Sequence, residues 1–196
     1  MSRRRLRPDE RRHELLDVGA HMFATRPYDD VRMEEVAAQA GVSRALMYRY
    51  FSNKRTLFAA IYQRAADHLL AVSELDPTLP MAEQVSAGLD AHIDYFVGNR
   101  HTVLAANRVL SGDPMIQAII SDELTELRRR MLDAFELDGH PREVASAALH
   151  AWLLFVRAMC VEWLETQTFS RLELRDVCLG ALLGAFGPAV EIGRQA

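Results

Sequence analysis

Basic and aromatic side chains crowd into one short stretch, residues 41–54, which reads GVSRALMYRYFSNK. Its arginines, tyrosines and lysine could contact nucleic acid, since cations bind phosphate and arginine also pairs with the edge of guanine. A glycine and a serine open the stretch, as expected where one helix ends and the next begins. The stretch therefore predicts a short helix that presents cations and hydroxyls to a polyanion.

The residues on either side predict how this helix is positioned. Apolar residues at three-to-four spacing begin a preceding helix at Met33, and Gly41 suits the left-handed conformation that ends it. Ser43 can cap the following helix, because its hydroxyl can accept a backbone hydrogen bond from the first turn. Such a pair of helices with a short turn is a helix-turn-helix, whose second helix enters the major groove of DNA.

Five side chains of the stretch have the chemistry for this task. Arg44, in the first turn, can bond guanine O6 and N7, and Ala45 is small enough to touch a thymine methyl. Tyr48 lies one turn later on the same face. The hydroxyl of Tyr50, at the helix end, can reach a phosphate, and Lys54 is placed to clamp a phosphate at the start of the next helix.

Neighbouring residues are assigned to the core and to the helix ends. Leu46 and Phe51 are expected to point into a small core, whereas Met47 can join them or line the groove edge. Ser52 is the expected cap of the next helix, although Arg55 stands where a capping box has Glu.

Charge is distributed unevenly along the 196 residues, although the net formal charge is only −4. Residues 1–57 hold 12 Arg and Lys against 8 Asp and Glu, while residues 58–196 hold 11 against 19. A basic head on an acidic body is expected when one end of a chain meets a polyanion. The arginines at positions 3, 4, 5 and 7 form either an arm that reaches a minor groove or phosphates, or a solvated tail.

Residues 11–58 resemble the DNA-binding domain of the TetR family of bacterial transcriptional regulators. The resemblance lies in an apolar helix ending at Phe23, in VAAQAGVS at 36–43 and in YRYFSNKRTLF at 48–58. It implies base-reading positions at Ser43, Arg44 and Ala45. It also implies backbone or groove contacts, at Tyr48, Tyr50 and Lys54.

The resemblance also implies an architecture and a function. We expect an all-α chain with an N-terminal three-helix helix-turn-helix DNA-binding domain at 1–57 and an effector-binding and dimerisation domain at 58–196. Such a protein is a ligand-responsive regulator, foremost a repressor, which binds a palindromic operator as a homodimer and leaves when a small effector binds. One position departs from the family pattern: Arg32 stands where Ser or Thr usually caps the second helix. Either Asp29 or Asp30 caps from further back, or Arg32 contacts a phosphate instead.

Helical periodicity runs through nearly every longer segment, and no strand alternation is visible. About nine helices are predicted. The first helix covers about 9–25, and after a break at 75–80 later helices cover about 81–99, 102–111, 114–136, 141–166 and 171–192.

The last two predicted helices are apolar on more than one side. The helix at 141–166 carries two apolar stripes, and the helix at 171–192 contains GALLGAFG at 180–187. A helix that is apolar on two faces must be buried on two sides, and small residues four apart allow close helix approach. We therefore predict that these two helices pair with those of a second copy as a twofold four-helix bundle.

An effector pocket is expected among the middle helices, lined by bulky apolar side chains with a few polar groups. The candidate lining residues are His92, Tyr95, Phe96, Asn107, Trp152, Phe155, Arg157 and Met159. Arg157, within an apolar helix, requires an anion, which is either a ligand carboxylate or an acid such as Glu162 or Asp94. The apolar lining favours a lipophilic or aromatic effector.

Other classes of protein lack support in the sequence. The seven histidines form no metal-binding spacing, and neither a phosphate-binding loop nor a nucleophile elbow is present, so no enzyme, metal or cofactor is expected. The N-terminus does not read as a secretory signal, and no apolar run approaches the roughly 18 residues of a membrane helix. We expect a cytoplasmic protein with Cys160 and Cys178 as buried free thiols. The alternative function is a helical interaction module whose basic helix binds an acidic protein.

Overall fold

The computed structural model describes residues 7–72, 80–134 and 138–195, with side chains for all of these except 72, 81 and 186–195. Within these ranges it contains nine α-helices and no strand, as predicted. The helices are α1 (Pro8–Thr25), α2 (Met33–Gln39), α3 (Arg44–Tyr50), α4 (Lys54–Val72), α5 (Met81–Gly98), α6 (Arg100–Leu104), α7 (Pro114–Asp133), α8 (Gly139–Thr166) and α9 (Arg171–Gln195). A 3₁₀ turn covers Tyr28–Asp30, and a π-helical turn covers Ala105–Val109. The predicted arginine arm at 3–5 and the break at 75–79 lie outside the described residues.

The chain divides into two compact units. One runs to Ala65 and takes in Asn99–Ile116, and the other holds Ala66–Gly98 and the chain from Gln117 onward. The first unit is therefore larger than the predicted domain 1–57, because α6 packs against α1 and the first part of α4 does the same. A Cβ on Gly19 of α1 would lie only 2.8 Å from Cδ1 of Ile61, so glycine is what allows this close approach. The division of function at residue 57 stays a prediction.

The core of the first unit is built on an aromatic cluster. The ring of Phe58 meets the rings of Phe23 and Tyr28 edge-on, at 5.1 and 5.2 Å between centroids. Met47 of α3 is fully buried, whereas Leu46 is only half-buried. The expectation that Leu46 points into the core is therefore wrong. A helix turns about 100° per residue, so with Arg44 and Tyr48 outward the inner position falls on Met47.

Local capping sets the ends of the helix-turn-helix. The backbone N–H of Leu46 donates to Oγ of Ser43 at 3.2 Å, which confirms the predicted cap, and Gly41 has a φ of 61°. Helix α4 is capped by Asn53 rather than Ser52. Oδ1 of Asn53 accepts the backbone N–H of Thr56 at 2.9 Å, and Oγ1 of Thr56 accepts that of Asn53 at 3.2 Å. The reciprocal pair makes Asn53 the better cap, because Arg55 cannot complete a capping box from Ser52.

The second unit is organised around the hairpin of α8 and α9. Leu149, Trp152 and Val156 of α8 are buried one turn apart, and Cys178 of α9 packs beside them. Nε1 of Trp152 donates to the carbonyl oxygen of Cys178 at 2.8 Å, which satisfies a buried indole N–H. Cys160 and Cys178 are both buried free thiols, and burial raises the pKa of Cys160 to about 12 and that of Cys178 to about 11.

Helix α8 carries apolar side chains on two of its faces. By length and composition it could cross a membrane: an 18-residue window has a mean hydropathy of 1.7, and 44% of that window is buried. The expectation that no apolar run reaches this length is therefore wrong. A core helix passes the same test, and α8 carries the buried guanidinium of Arg157 inside the protein. Its mean hydropathy is high because apolar residues occupy a second face as well, which is exposed in the single chain and includes Leu154 and Phe155.

Candidate functional site

The outer face of α3 carries most of the side chains predicted to contact DNA. Ser43, Arg44, Ala45 and Tyr48 are all exposed, and Tyr50 is half-buried at the helix end. The guanidinium of Arg44 lies over the ring of Tyr48, with Cζ 5.5 Å from the ring centroid. A cation and a phenol are therefore held side by side on a surface formed by one turn of helix.

A carboxylate from the preceding helix joins this pair. Oε1 of Glu34, in the first turn of α2, lies 3.2 Å from Nε of Arg44, and it accepts the Tyr48 hydroxyl at 3.3 Å. A hydrogen bond from its own backbone N–H lowers the pKa of Glu34, and Arg44 and Tyr48 lower it further. Glu34 is thus an anion within the predicted DNA-binding face. Sequence reasoning missed this residue because its contacts cross the turn between helices.

Lys54 is held within the protein. Its Nζ donates to the carbonyl oxygens of Tyr28 and Asp29 at 2.9 and 3.4 Å, and it lies 4.3 Å from the centroid of the Tyr28 ring. The ammonium therefore ties the start of α4 to the connection between α1 and α2. Burial raises the pKa of the Tyr28 hydroxyl, and Asp29 adds to this effect. The phosphate contact of Lys54 stays a prediction.

Arg32 immediately precedes α2 and is exposed. Its side chain makes no capping hydrogen bond, and its backbone carbonyl accepts the N–H groups of Glu35 and Val36. Asp29 and Asp30 lie in the 3₁₀ turn before it. An exposed guanidinium at a helix start beside the Glu34 cluster is compatible with the predicted phosphate contact.

A cavity of about 80 Å³ lies within the second unit, between α5, α7 and α8. Its walls are mostly apolar. The residues that line it are Gln84, Val85, Gly88, Leu89, His92, Leu124, Leu127, Arg130, Met131, Trp152, Leu153, Val156 and Arg157. Among the predicted effector residues, three line this cavity: His92, Trp152 and Arg157. The sequence analysis did not predict the cavity residues that α7 supplies, because no sequence motif shows which helices pack together.

The other predicted effector residues lie elsewhere. Phe96 is buried behind the cavity wall, with its ring 4.1 Å from that of His92, and Tyr95 packs beside Phe96 at 6.4 Å between ring centroids. Phe155 and Met159 of α8 are exposed and half-buried, respectively. Asn107 belongs to the first unit, where its Nδ2 donates to the carbonyl oxygen of Val103.

The two cations of the cavity wall lie close to acids. Nη1 of Arg157 is 3.6 Å from Oε2 of Glu123, and Nε of Arg130 is 2.8 Å from Oε1 of Glu126. Glu123 was not among the partners that the sequence suggested for Arg157. The His92 side chain is half-buried overall, but its Nε2 is itself buried and has no hydrogen-bond partner among the described residues. Burial lowers the pKa of His92 to about 3, and Arg157 contributes to this, so the imidazole is neutral. Burial raises the pKa of Glu123, and Arg157 opposes this shift.

No cluster of three or more His, Cys, Asp or Glu that could hold a metal ion occurs within residues 7–72, 80–134 and 138–195. The described surface and cavity offer two places where another molecule could bind. One face suits a polyanion, and one cavity suits a small apolar molecule.

Comparison with known proteins agrees with this arrangement. Residues 15–61 match a sequence model of the family described as "Bacterial regulatory proteins, tetR family". A stretch of 93 residues is 36% identical to the "HTH-type transcriptional activator FasR" of Mycolicibacterium smegmatis, covering 46% of this chain and 42% of that protein. The match thus takes in less than half the length of FasR.

Two further likenesses extend over most of the chain. Over 175 residues, 87% of this chain and 78% of the other, it is 29% identical to an HTH-type transcriptional regulator of Mycobacterium tuberculosis. The crystal structure of a tetR-family transcriptional regulator from Streptomyces coelicolor superposes with a TM-score of 0.85 at 21% identity, covering 97% of this chain and 86% of that one. The structural likeness concerns the fold.

Proposed function

The chain belongs to the TetR family of bacterial regulatory proteins, and from that premise we propose that it is a ligand-responsive transcriptional repressor. It binds an inverted-repeat operator in double-stranded DNA as a homodimer and is released by a small effector. Regulators of this family bind DNA and are not enzymes, and such a protein acts in the cytoplasm.

The observation that carries the proposal is the outer face of α3. Arg44, Ala45 and Tyr48 are exposed together on the second helix of a capped helix-turn-helix, where a major groove would meet them. Their side chains supply a guanine-pairing cation, a surface for close approach and a phenol. A helix that only binds an acidic protein would need the positive charge of Arg44. It would not need Arg44, Ala45 and Tyr48 together on the exposed face of the second helix of a helix-turn-helix.

Exposed apolar residues support dimerisation through α8 and α9. On α8, Ala147, Ala151, Leu154 and Ala158 form a stripe that is exposed in the single chain, with Phe155 beside it. Packing this stripe against a second copy would remove it from water.

Helix α9 supplies the other half of the exposed surface. Val177 and Leu183 are 48% and 58% exposed, and a Cβ at Gly180 or Gly184 would meet no atom within 4 Å. The glycines leave room for a neighbouring helix at close range. Two copies of α3 that bind successive major grooves must lie about 34 Å apart or a multiple of it, and the twofold symmetry of a dimer then requires an inverted repeat.

The cavity between α5, α7 and α8 supports an effector that is small, apolar and uncharged. Arg157 lies 3.6 Å from Glu123, Arg130 pairs with Glu126 at 2.8 Å and His92 is neutral, so each cation of the wall already faces an acid. Depending on the tautomer, Nε2 of His92 can donate a hydrogen bond to a hydroxyl or carbonyl oxygen, or accept one from a hydroxyl group. A lipophilic or aromatic molecule with one such group fits this lining.

Selection from a random double-stranded DNA library, at a stated salt near physiological, tests the proposal. We expect enrichment of an inverted repeat. Weak, salt-sensitive binding without an enriched sequence would contradict it and favour an interaction module that binds an acidic partner. A reporter downstream of the selected operator then determines the sign of regulation. Since FasR is named an activator, increased transcription would show that this chain shares that sign and is not a repressor.

A further inference from the structure

We propose that Glu34 determines how selectively the protein reads DNA, by holding the guanidinium of Arg44 in the orientation that pairs with a base. This inference rests on the proposed DNA-binding function. Glu34 is a positioning residue here, since it acts through Arg44 and Tyr48.

The contacts define which nitrogens of Arg44 remain for DNA. The carboxylate takes the guanidinium at Nε, 3.2 Å from Oε1 of Glu34. An arginine that is held at Nε presents its two terminal nitrogens end-on. These two nitrogens match the spacing of O6 and N7 on guanine, which is the commonest specific contact in the major groove. Side-on pairing through Nε would bring the base edge against the Glu34 carboxylate, so the end-on geometry is favoured of the two bidentate geometries.

The same carboxylate oxygen also fixes Tyr48. Its hydroxyl donates to Oε1 of Glu34 at 3.3 Å, and its ring lies under the Arg44 guanidinium. Two side chains of the recognition helix are thereby tied to α2 by one atom. An arginine with two such contacts, a carboxylate at Nε and a ring beneath the guanidinium, loses less rotamer freedom on binding a base than an unrestrained one.

A carboxylate in this place has a cost in general DNA affinity. It repels phosphates, because it adds a negative charge to the face that would meet the DNA backbone. Without Glu34, the long side chain of Arg44 could swing to the nearest phosphate, a contact that carries no sequence information. Glu34 therefore lowers binding to all sequences and raises the preference for one.

The chain contains a matched control one residue away. Glu35 lies in the same turn of α2 and pairs with Arg26 of α1, with Oε2 2.7 Å from Nη1. The carboxylates of Glu34 and Glu35 are exposed to a similar extent, 47% and 45% of their side chains. Glu35→Ala removes the same charge from the same helix without touching Arg44.

The experiment measures affinity for the selected operator and for a scrambled duplex, with the full chain at two salt concentrations. We expect Glu34→Ala to bind scrambled DNA several-fold more tightly and to lower the ratio of operator to scrambled affinity about tenfold. Glu34→Gln should raise scrambled binding similarly but keep most of the ratio, since its amide oxygen can still accept from Nε of Arg44. Glu35→Ala should change both affinities equally.

A variant in the Arg44→Ala background separates positioning from charge. There, Glu34→Ala should leave the ratio nearly unchanged, because Arg44, the base-pairing side chain that it orients, is gone and only the contact to Tyr48 remains. A ratio for Glu34→Ala within twofold of wild type, or an equal loss of ratio in the Arg44→Ala background, would overturn the inference. If wild type enriches no sequence at all, the proposed function itself fails. Circular dichroism of each variant checks that the fold is intact.

Discussion

Nη1 of Arg55 lies 3.1 Å from Oδ2 of Asp113, and the other oxygen of Asp113 accepts the backbone N–H groups of Met115 and Ile116. One buried carboxylate therefore caps α7 and anchors the first turn of α4, next to the residues predicted to face DNA. The contact joins parts of the chain that are 58 residues apart. This contact helps to explain why residues around 113 belong to the same compact unit as the helix-turn-helix.

Removal of this carboxylate should destabilise the protein. We expect Asp113→Ala to lower the free energy of unfolding by about 1 to 3 kcal/mol, since it loses a helix cap and the ion pair of a buried carboxylate with the exposed Arg55. Asp113→Asn is the matched control, because its amide oxygen can still cap α7 while the charge on Arg55 is unpaired. Urea denaturation should rank wild type above the Asn variant and the Asn variant above the Ala variant. Equal stability of all three would show that the cap contributes nothing.

Arg44 and Lys54 should affect DNA binding in different ways. Arg44→Ala should cost about 1 to 3 kcal/mol of operator affinity and relax preference at one base position in each half-site. Lys54→Ala should weaken all sequences about equally and reduce the salt dependence. Because Lys54 also bonds two carbonyl oxygens in the first unit, its variant should unfold at a lower temperature, whereas the Arg44 variant should not. Unchanged operator affinity in both variants would contradict the assigned contacts.

Local signals in the sequence predicted the elements of the head well. Ser43 and Gly41 act within a few residues of themselves, and the helix that they define begins where expected. Leu46 and Met47 are adjacent apolar residues about 100° apart around the helix. Their residue types alone do not show which of them faces the core. Glu34 carries no motif, and only the folded turn brings it to Arg44.

The cavity and the proposed dimer face also differ in how much of each the sequence predicts. Periodicity within α8 indicates a second apolar stripe, because one helix contains all of the information. The cavity needs three helices from distant parts of the chain. His92 and Trp152 could be guessed from residue type, but Gly88 and Leu124 could not. The partner of Arg157 was missed because Glu123 lies on α7, which the sequence does not place against α8.

The buried imidazole of His92 should make stability depend on pH. Its pKa is lowered to about 3 in the folded protein, against an ordinary value of 6.5. The unfolded chain therefore binds more protons between these values, and stability falls as the pH is lowered through 6.5. We expect His92 to reduce the free energy of unfolding at pH 5 by about 1 to 2 kcal/mol relative to pH 7.5.

His92→Phe removes this titration and isolates its contribution from those of Arg157 and Glu123. Its free energy of unfolding should decline less between pH 7.5 and pH 5 than that of wild type. The control is His68→Gln, since His68 is exposed on α4 and lies outside the cavity wall. Parallel profiles for wild type and His92→Phe, measured by urea denaturation at each pH, would mean that the imidazole is not held neutral in the folded state.

The exposed faces of α8 and α9 can be tested with two valines that match in exposure. Val177 of α9 and Val97 of α5 are both 48% exposed, but only Val177 lies on the proposed dimer face. Val177→Glu should convert a dimer to a monomer, because two buried carboxylates would face each other near the twofold axis without partners. Val97→Glu should remain a dimer. Analytical ultracentrifugation gives the mass of each, and the monomeric variant should also lose affinity for the full inverted repeat while binding a single half-site weakly. A dimeric Val177→Glu variant, or a monomeric wild type, would place the interface elsewhere or remove it.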